Sequence, residues 1–226
     1  MRAVSAQLRT CMAAAALLCC LPVVRADAYG MPPPAASRFD EVPGSAQTLE
    51  QLRRGGFVLY LRHGATDNSK PDRATGVDLN DCSTQRPLSA EGHKMAVRVG
   101  EAMRKARIPI GDILISPLCR VRDTVADAFP GQAYVLDQQL MYTANFTDVQ
   151  KAPIIARTRQ LLSTAVAAGN NRLLIAHAPN LMDLMGYFPK EATLVVFRPL
   201  GEKGGFEYVA SIPPALWGEL LRPGRP

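Results

Sequence analysis

The sequence predicts an α/β domain built on a mostly parallel central sheet. Two observations carry that expectation. Strand-like and helix-like stretches alternate along the chain, the order that pairs a parallel sheet with crossover helices. The first strand candidate, 57–62 (FVLYLR), is apolar without alternation until its last residue, as a strand hidden on both faces must be.

The elements follow in order. A helix over 47–54 precedes that first strand, and Gly64 after it relieves the backbone where the chain turns sharply or approaches a ligand. Leu88 and Ser89 read as a staple residue and an N-cap. The helix they open carries Met95, Val99, Ala102, Met103 and Ala106 on one face. A strand over 112–116 leads to Ser116 and Pro117, which read as the N-cap and first position of a third helix striped by Val121, Val125, Ala128 and Phe129. A strand over 133–136 and a fourth helix over 154–168 come next, with Leu161, Leu162, Ala165 and Val166 inward. Strands over 172–177, 193–198 and 206–212 close the domain. The short connection between the last two predicts an antiparallel edge. The Met and Leu run at 181–185 reads as core.

The ends differ from this body. Residues 1–28 place Arg2 and Arg9 before an apolar run from Cys11 to Val24, followed by Ala26-Asp27-Ala28. That is the layout of a secretory signal peptide, and the run is short for a membrane span. A retained anchor is the alternative. Leu18 stands before Cys19 where a lipoprotein site needs a small residue. Residues 29–45, rich in Pro, Ala and Ser, read as a flexible lead-in, 46–221 as the domain and 222–226 as a tail. The expected location is periplasmic or secreted, with no stable membrane insertion after cleavage.

The chain of 226 residues carries 26 basic and 20 acidic side chains, a net +6. Cleavage would remove three arginines and one aspartate, leaving a net +4. So modest an excess suits anionic small molecules or anionic surfaces. With no basic run interleaved with aromatics, no nucleic-acid partner is expected. Cys11, Cys19 and Cys20 leave with the leader. Cys82 and Cys119 remain, an even pair that in an oxidising compartment predicts a disulfide. Two separate buried thiols are the alternative.

Four residues carry the chemistry. Arg62 and His63 end the first strand, Arg120 (in SPLCR) opens the helix after the second, and His177 (in LLIAH) ends a third. Open α/β sheets bind ligands outside the carboxyl ends of their strands, so the fold gathers all four on one rim. Arginines with imidazoles suit a phosphoryl group, because the guanidinium fork matches its oxygens and stays charged. His63 and His177 lack the local spacing of a zinc site, and no G-x-S-x-G elbow supplies an activated serine. The arginines supply the positive charge, so neither metal nor cofactor is expected.

LRHGAT (61–66), LS..G (88–92), SPLCRVRDT (116–124) and IAH (175–177) together resemble the histidine phosphatase superfamily, the phosphoglycerate mutase-like clan, from about residue 56 to 200. The resemblance implies a three-layer α/β/α sandwich. It also implies a phosphohistidine intermediate on His63, with Arg62, Arg120 and His177 completing the phosphate pocket, and a small phosphorylated substrate. Within the exported relatives it admits a lipopolysaccharide sugar-phosphate phosphatase. A phosphate-binding protein with vestigial catalysis is the alternative from another class.

The chain departs from the family in three places. Asn68 stands one residue before the position, Ser69, where the family often has Asn. Ala178 stands where the acid-phosphatase branch has its proton-donating Asp. Asp137 and Asp148 only poorly match the region of the mutase Glu. Glu191, Asp137 and Asp67 are left as candidate proton donors, the first two ranked equal and Asp67 lower. His93 reads as a surface histidine, and Asp78 and Asp81 as turn residues. Arg86 reads as a loop arginine with a structural partner, a place at the pocket rim being the alternative.

Overall fold

A computed structural model describes residues 39–73 and 76–222. The signal-peptide reading of 1–28 and all of the tail but Arg222 lie outside those residues. So does the lead-in as far as residue 38. Phe39–Ser45 are packed: Phe39 stacks on Tyr187 with ring centroids 4.3 Å apart, and Gly44 N–H bonds to the Ser211 carbonyl at 2.8 Å.

The elements are α1 (Ala46–Arg54), β1 (Val58–Arg62), α2 (Ala90–Lys105), β2 (Ile110–Ile115), α3 (Cys119–Ala128), β3 (Val135–Leu136), α4 (Asp148–Ser163), β4 (Asn171–Ala176), α5 (Ala178–Met185), β5 (Leu194–Pro199), α6 (Gly201–Gly204), β6 (Phe206–Ile212) and α7 (Trp217–Leu220). The sheet runs β3-β2-β4-β1-β5-β6. The first four strands in that order are mutually parallel. β5 is antiparallel to both β1 and β6, so the antiparallel side is two strands wide.

The period of two along a strand sorts β1 between two cores. Leu59 and Leu61 face a core shared with Leu49 and Leu52 of α1, Val99 and Met103 of α2, Val121 and Val125 of α3, and Trp217 of α7. Val58 and Tyr60 face the opposite core, with Leu161 and Leu162 of α4 and Leu181 of α5. Helices therefore cover both faces, and the three layers are α/β/α. Full burial of each such leucine stabilises the fold by roughly 1.5–3 kcal/mol.

Two helix starts differ from the sequence reading. α3 begins at Cys119 with Leu118 as N-cap; the Ser116 hydroxyl instead bonds the His177 ring at 2.8 Å. α4 begins at Asp148 and ends at Ser163, capped by a Thr147/Gln150 box, with Pro153 inside it. Its first turn is exposed, Val149 by 84 %, so no apolar stripe announces it. In the 181–185 run Leu181 is core, but Met182 is 51 % exposed.

Among the described residues no helix is long and apolar enough to cross a membrane.

Candidate active site

β1, β2 and β4 lie side by side and parallel, so their carboxyl ends open on one rim. Arg62 pairs in register with Ala176, which sets the next residues, His63 and His177, together. Their ring centroids are 5.2 Å apart and the rings edge to face. Arg120, in the first turn of α3, joins them. The four sequence-predicted residues meet at this rim; His63 is 5 % exposed, and Arg120 and His177 are fully buried.

The loop after β1 is clamped. Ser89 caps α2 and donates its backbone N–H to Ala65 O at 2.9 Å. Gly92 of α2 packs so closely that a Cβ there would stand 1.9 Å from the Ala65 carbonyl oxygen, and a Cβ on Gly64 would stand 2.5 Å from Gly92 O. Gly64 N–H donates to Thr124 Oγ1, whose hydroxyl donates to Arg120 O at 2.7 Å. The LRHG and LS..G motifs are thus one contact between a loop and a helix, with no room for side chains.

His63 Nδ1 lies 2.7 Å from Gly64 O. A carbonyl only accepts, so Nδ1 carries the proton and Nε2 keeps its lone pair. Burial, reinforced by Arg120 and then Arg62 and Arg86, pushes the imidazole pKa down to about 3 against the opposing Gly64 bond. His177 is lowered well below the ordinary value by burial first and by Arg120 next. Both rings are therefore neutral near pH 7. His177 is held by its neighbours: Tyr60 OH donates to its carbonyl at 2.8 Å and accepts its N–H at 3.1 Å. Its Nε2 lies 2.8 Å from Ser116 Oγ, and its Nδ1 is a buried atom without a partner among the described residues.

The arginines are oriented from behind. Arg62 donates through Nη1 to Pro189 O at 2.6 Å and through Nη2 to Glu191 Oε1 at 2.7 Å. Arg120 donates through Nη1 to Asp72 Oδ1 at 3.0 Å, and Tyr142 lies under its guanidinium at 5.3 Å. Arg86, read from sequence as structurally paired, shows no ion pair to a carboxylate among the described residues. Its charge is one of those that hold down the two histidines. The Nε atoms of Arg62, Arg86 and Arg120, Nη2 of Arg120 and Nδ1 of His177 are all buried and unpartnered among the described residues. Buried donors are rarely left so, and this set fits the oxygens of a phosphoryl group.

Cys82 and Cys119 are disulfide-bonded, Cα atoms 5.7 Å apart across 37 residues. The bond ties the loop bearing Asp72 and Arg86 to the residue before Arg120, and Gln85 Oε1 adds a bond to Cys119 N–H at 2.8 Å.

A cavity of about 350 Å³ adjoins Arg120 and is lined by Asp72, Leu118, Tyr142, Asn145 and Phe146 among others; neither histidine lines it. Asp72 and Tyr142 escaped the sequence reading, since single residues in polar loops carry no periodicity. The three proposed donors separate. Asp137 is turned to Arg157 at 2.8 Å, Asp67 bonds Ser69 on the surface, and Glu191 alone reaches the site, on Arg62. His93 pairs with Asp127 at 2.7 Å and is half exposed. Asp78 and Asp81 cap turns, as expected. Among the described residues no cluster of His, Cys, Asp and Glu is arranged to hold a metal.

Residues 58–143 match the sequence model of the histidine phosphatase superfamily (branch 1), a span that holds Arg62, His63 and Arg120 and stops short of His177. No curated protein matches the chain in sequence. Solved structures share the fold. A mycobacterial protein described as hydrolase 1 is 19 % identical over 70 % of this chain and 99 % of its own, with a TM-score of 0.51. An Escherichia coli candidate alpha-ribazole-5'-P phosphatase is 13 % identical over 70 % and 97 %, also at 0.51. The protein histidine phosphatase SixA, complexed with tungstate, is 18 % identical over 70 % and 97 %, at 0.48. Over residues 58–143, then, the chain is similar to the histidine phosphatase superfamily, and it shares its three-layer fold with the mycobacterial and Escherichia coli structures.

Proposed function

We propose that the protein hydrolyses a small phosphomonoester through a phosphohistidine on His63. The observation that carries this reading is the set of buried, unpartnered guanidinium and imidazole nitrogens around one neutral imidazole. Nε2 of His63 holds the free lone pair and attacks phosphorus. The ester oxygen leaves, and water then attacks the phosphohistidine to release inorganic phosphate. Arg62, Arg86, Arg120 and Nδ1 of His177 hold the phosphoryl oxygens in line and take up the charge of the transition state. Arg86 joins the four residues expected from sequence as a third guanidinium. Export to an oxidising compartment belongs to the same proposal, supported by the leader-like residues 1–28 and by the Cys82–Cys119 bond.

Rapid quench of the protein with a ³²P-labelled substrate tests the reaction. Acid-labile, alkali-stable label should appear on the wild-type chain and be absent from His63→Ala, with turnover lost by at least about a hundredfold. Label retained in His63→Ala would remove His63 as nucleophile. Tight phosphate binding without label or turnover in the wild type would instead identify a phosphate-binding protein.

A further inference from the structure

We propose that Asp72 is the general acid that protonates the leaving oxygen and the general base that activates water in the second half-reaction. The inference rests on the phosphatase reaction proposed above. An alkoxide leaves phosphorus only with a proton supplied to it, and the residues that would supply one by analogy are replaced or diverted. Ala178 has no acid, and the Asp137 carboxylate is spent on Arg157 and on the Gln139 N–H. Asp67 is fastened to Ser69. Glu191 grips Arg62, whose other Nη is held by Pro189, and it does not line the cavity.

Asp72 is also paired with an arginine, but it alone of these carboxylates lines the cavity beside Arg120. Its side chain is 15 % exposed and it lines the cavity that opens beside Arg120, the space available to a leaving group. Oδ1 accepts from Arg120 Nη1 at 3.0 Å and from the Arg86 backbone N–H at 2.8 Å. Oδ2 makes no hydrogen bond among the described residues and is the oxygen left for substrate. A substrate phosphoryl group must share Arg120 with this carboxylate.

The two steps balance. As the His63 Nε2–P bond forms, the P–O ester bond breaks with its electron pair on oxygen, which takes the Asp72 proton and leaves as the alcohol. Water then gives a proton back to the Asp72 carboxylate as its oxygen bonds phosphorus. The N–P pair returns to Nε2, and inorganic phosphate departs.

The test compares two esters in one variant. Asp72→Asn should lose about a hundredfold or more of kcat/KM on glycerol 2-phosphate, and no more than about fivefold on p-nitrophenyl phosphate, whose leaving group needs little help. Asp72→Glu, which keeps an acid within reach, should recover at least about tenfold on the alkyl ester alone. Equal losses on both esters, together with weaker inhibition by inorganic phosphate, would show that Asp72 only orients Arg120 and would overturn the assignment. The His63→Ala protein is the separate control. Activity surviving there sinks the nucleophile, whereas a selective Asp72→Asn defect still stands as the mark of the acid.

Discussion

His63 is useful only as a neutral imidazole with Nε2 free, and the fold secures both conditions by burial and by the Gly64 carbonyl. Its pKa of about 3 has a consequence for pH. Between about pH 3 and 6.5 the unfolded chain binds a proton at His63 that the folded chain refuses. Stability therefore rises with pH across this window and is lost as pH falls through it, by up to about 1.4 kcal/mol per pH unit for each such imidazole. His177 adds to the loss in the same direction. In the free ¹⁵N-histidine-labelled protein, the His63 ring, assigned by the His63→Gln spectrum, should keep its neutral signature down to pH 4.5. A midpoint near 6.5 would contradict the burial described. Urea midpoints at pH 7 and pH 5 give the second check, with the lower value expected at pH 5.

α2 is the element that fixes the loop bearing His63, and Gly92 is where it does so. A methyl group at that position meets the Ala65 carbonyl oxygen, and neither a helix backbone nor a clamped loop yields at small cost. Gly92→Ala should cost about 1–3 kcal/mol of stability, read from thermal or denaturant midpoints, with turnover falling by more than substrate affinity because His63 moves with the loop. At this scale the sequence was most informative where a motif and a period coincide. β1, α2 with its Ser89 cap, and the strand ends bearing Arg62, His63 and His177 were all legible. The start of α4 was not, since its first turn is exposed and a proline, Pro153, stands inside the helix. Nor was the course of Ser116, whose hydroxyl served the His177 ring rather than a helix cap. Asp72 stands in a loop whose path depends on a disulfide to a residue 37 positions from Cys82, a distance no local pattern spans.

Across the whole molecule, one covalent bond and one packed helix divide the labour. The 37-residue separation closed by Cys82–Cys119 encloses α2 and β2 and restrains the unfolded chain by roughly 3–4 kcal/mol on the chain-entropy account. Its formation needs an oxidising compartment, which makes export a testable property of the full chain. Protein recovered from an exporting host should have an intact mass that begins near Asp27 or Tyr29, with Cys82 and Cys119 in one non-reduced tryptic species; an uncleaved Met1 chain would mean an anchor. Trp217 stands at the other end of the same helix layer. The loop bearing His63 touches α2 at Gly92, whereas Trp217 lines a groove with Val99, Ala102 and Lys105, about 15 Å along the axis at Ala102. It is the single tryptophan of the chain. Light excited at 295 nm therefore comes from one indole set between α2 and the carboxyl-terminal turn, and its emission follows the cohesion of that layer while ligands come and go at the opposite end of the helix.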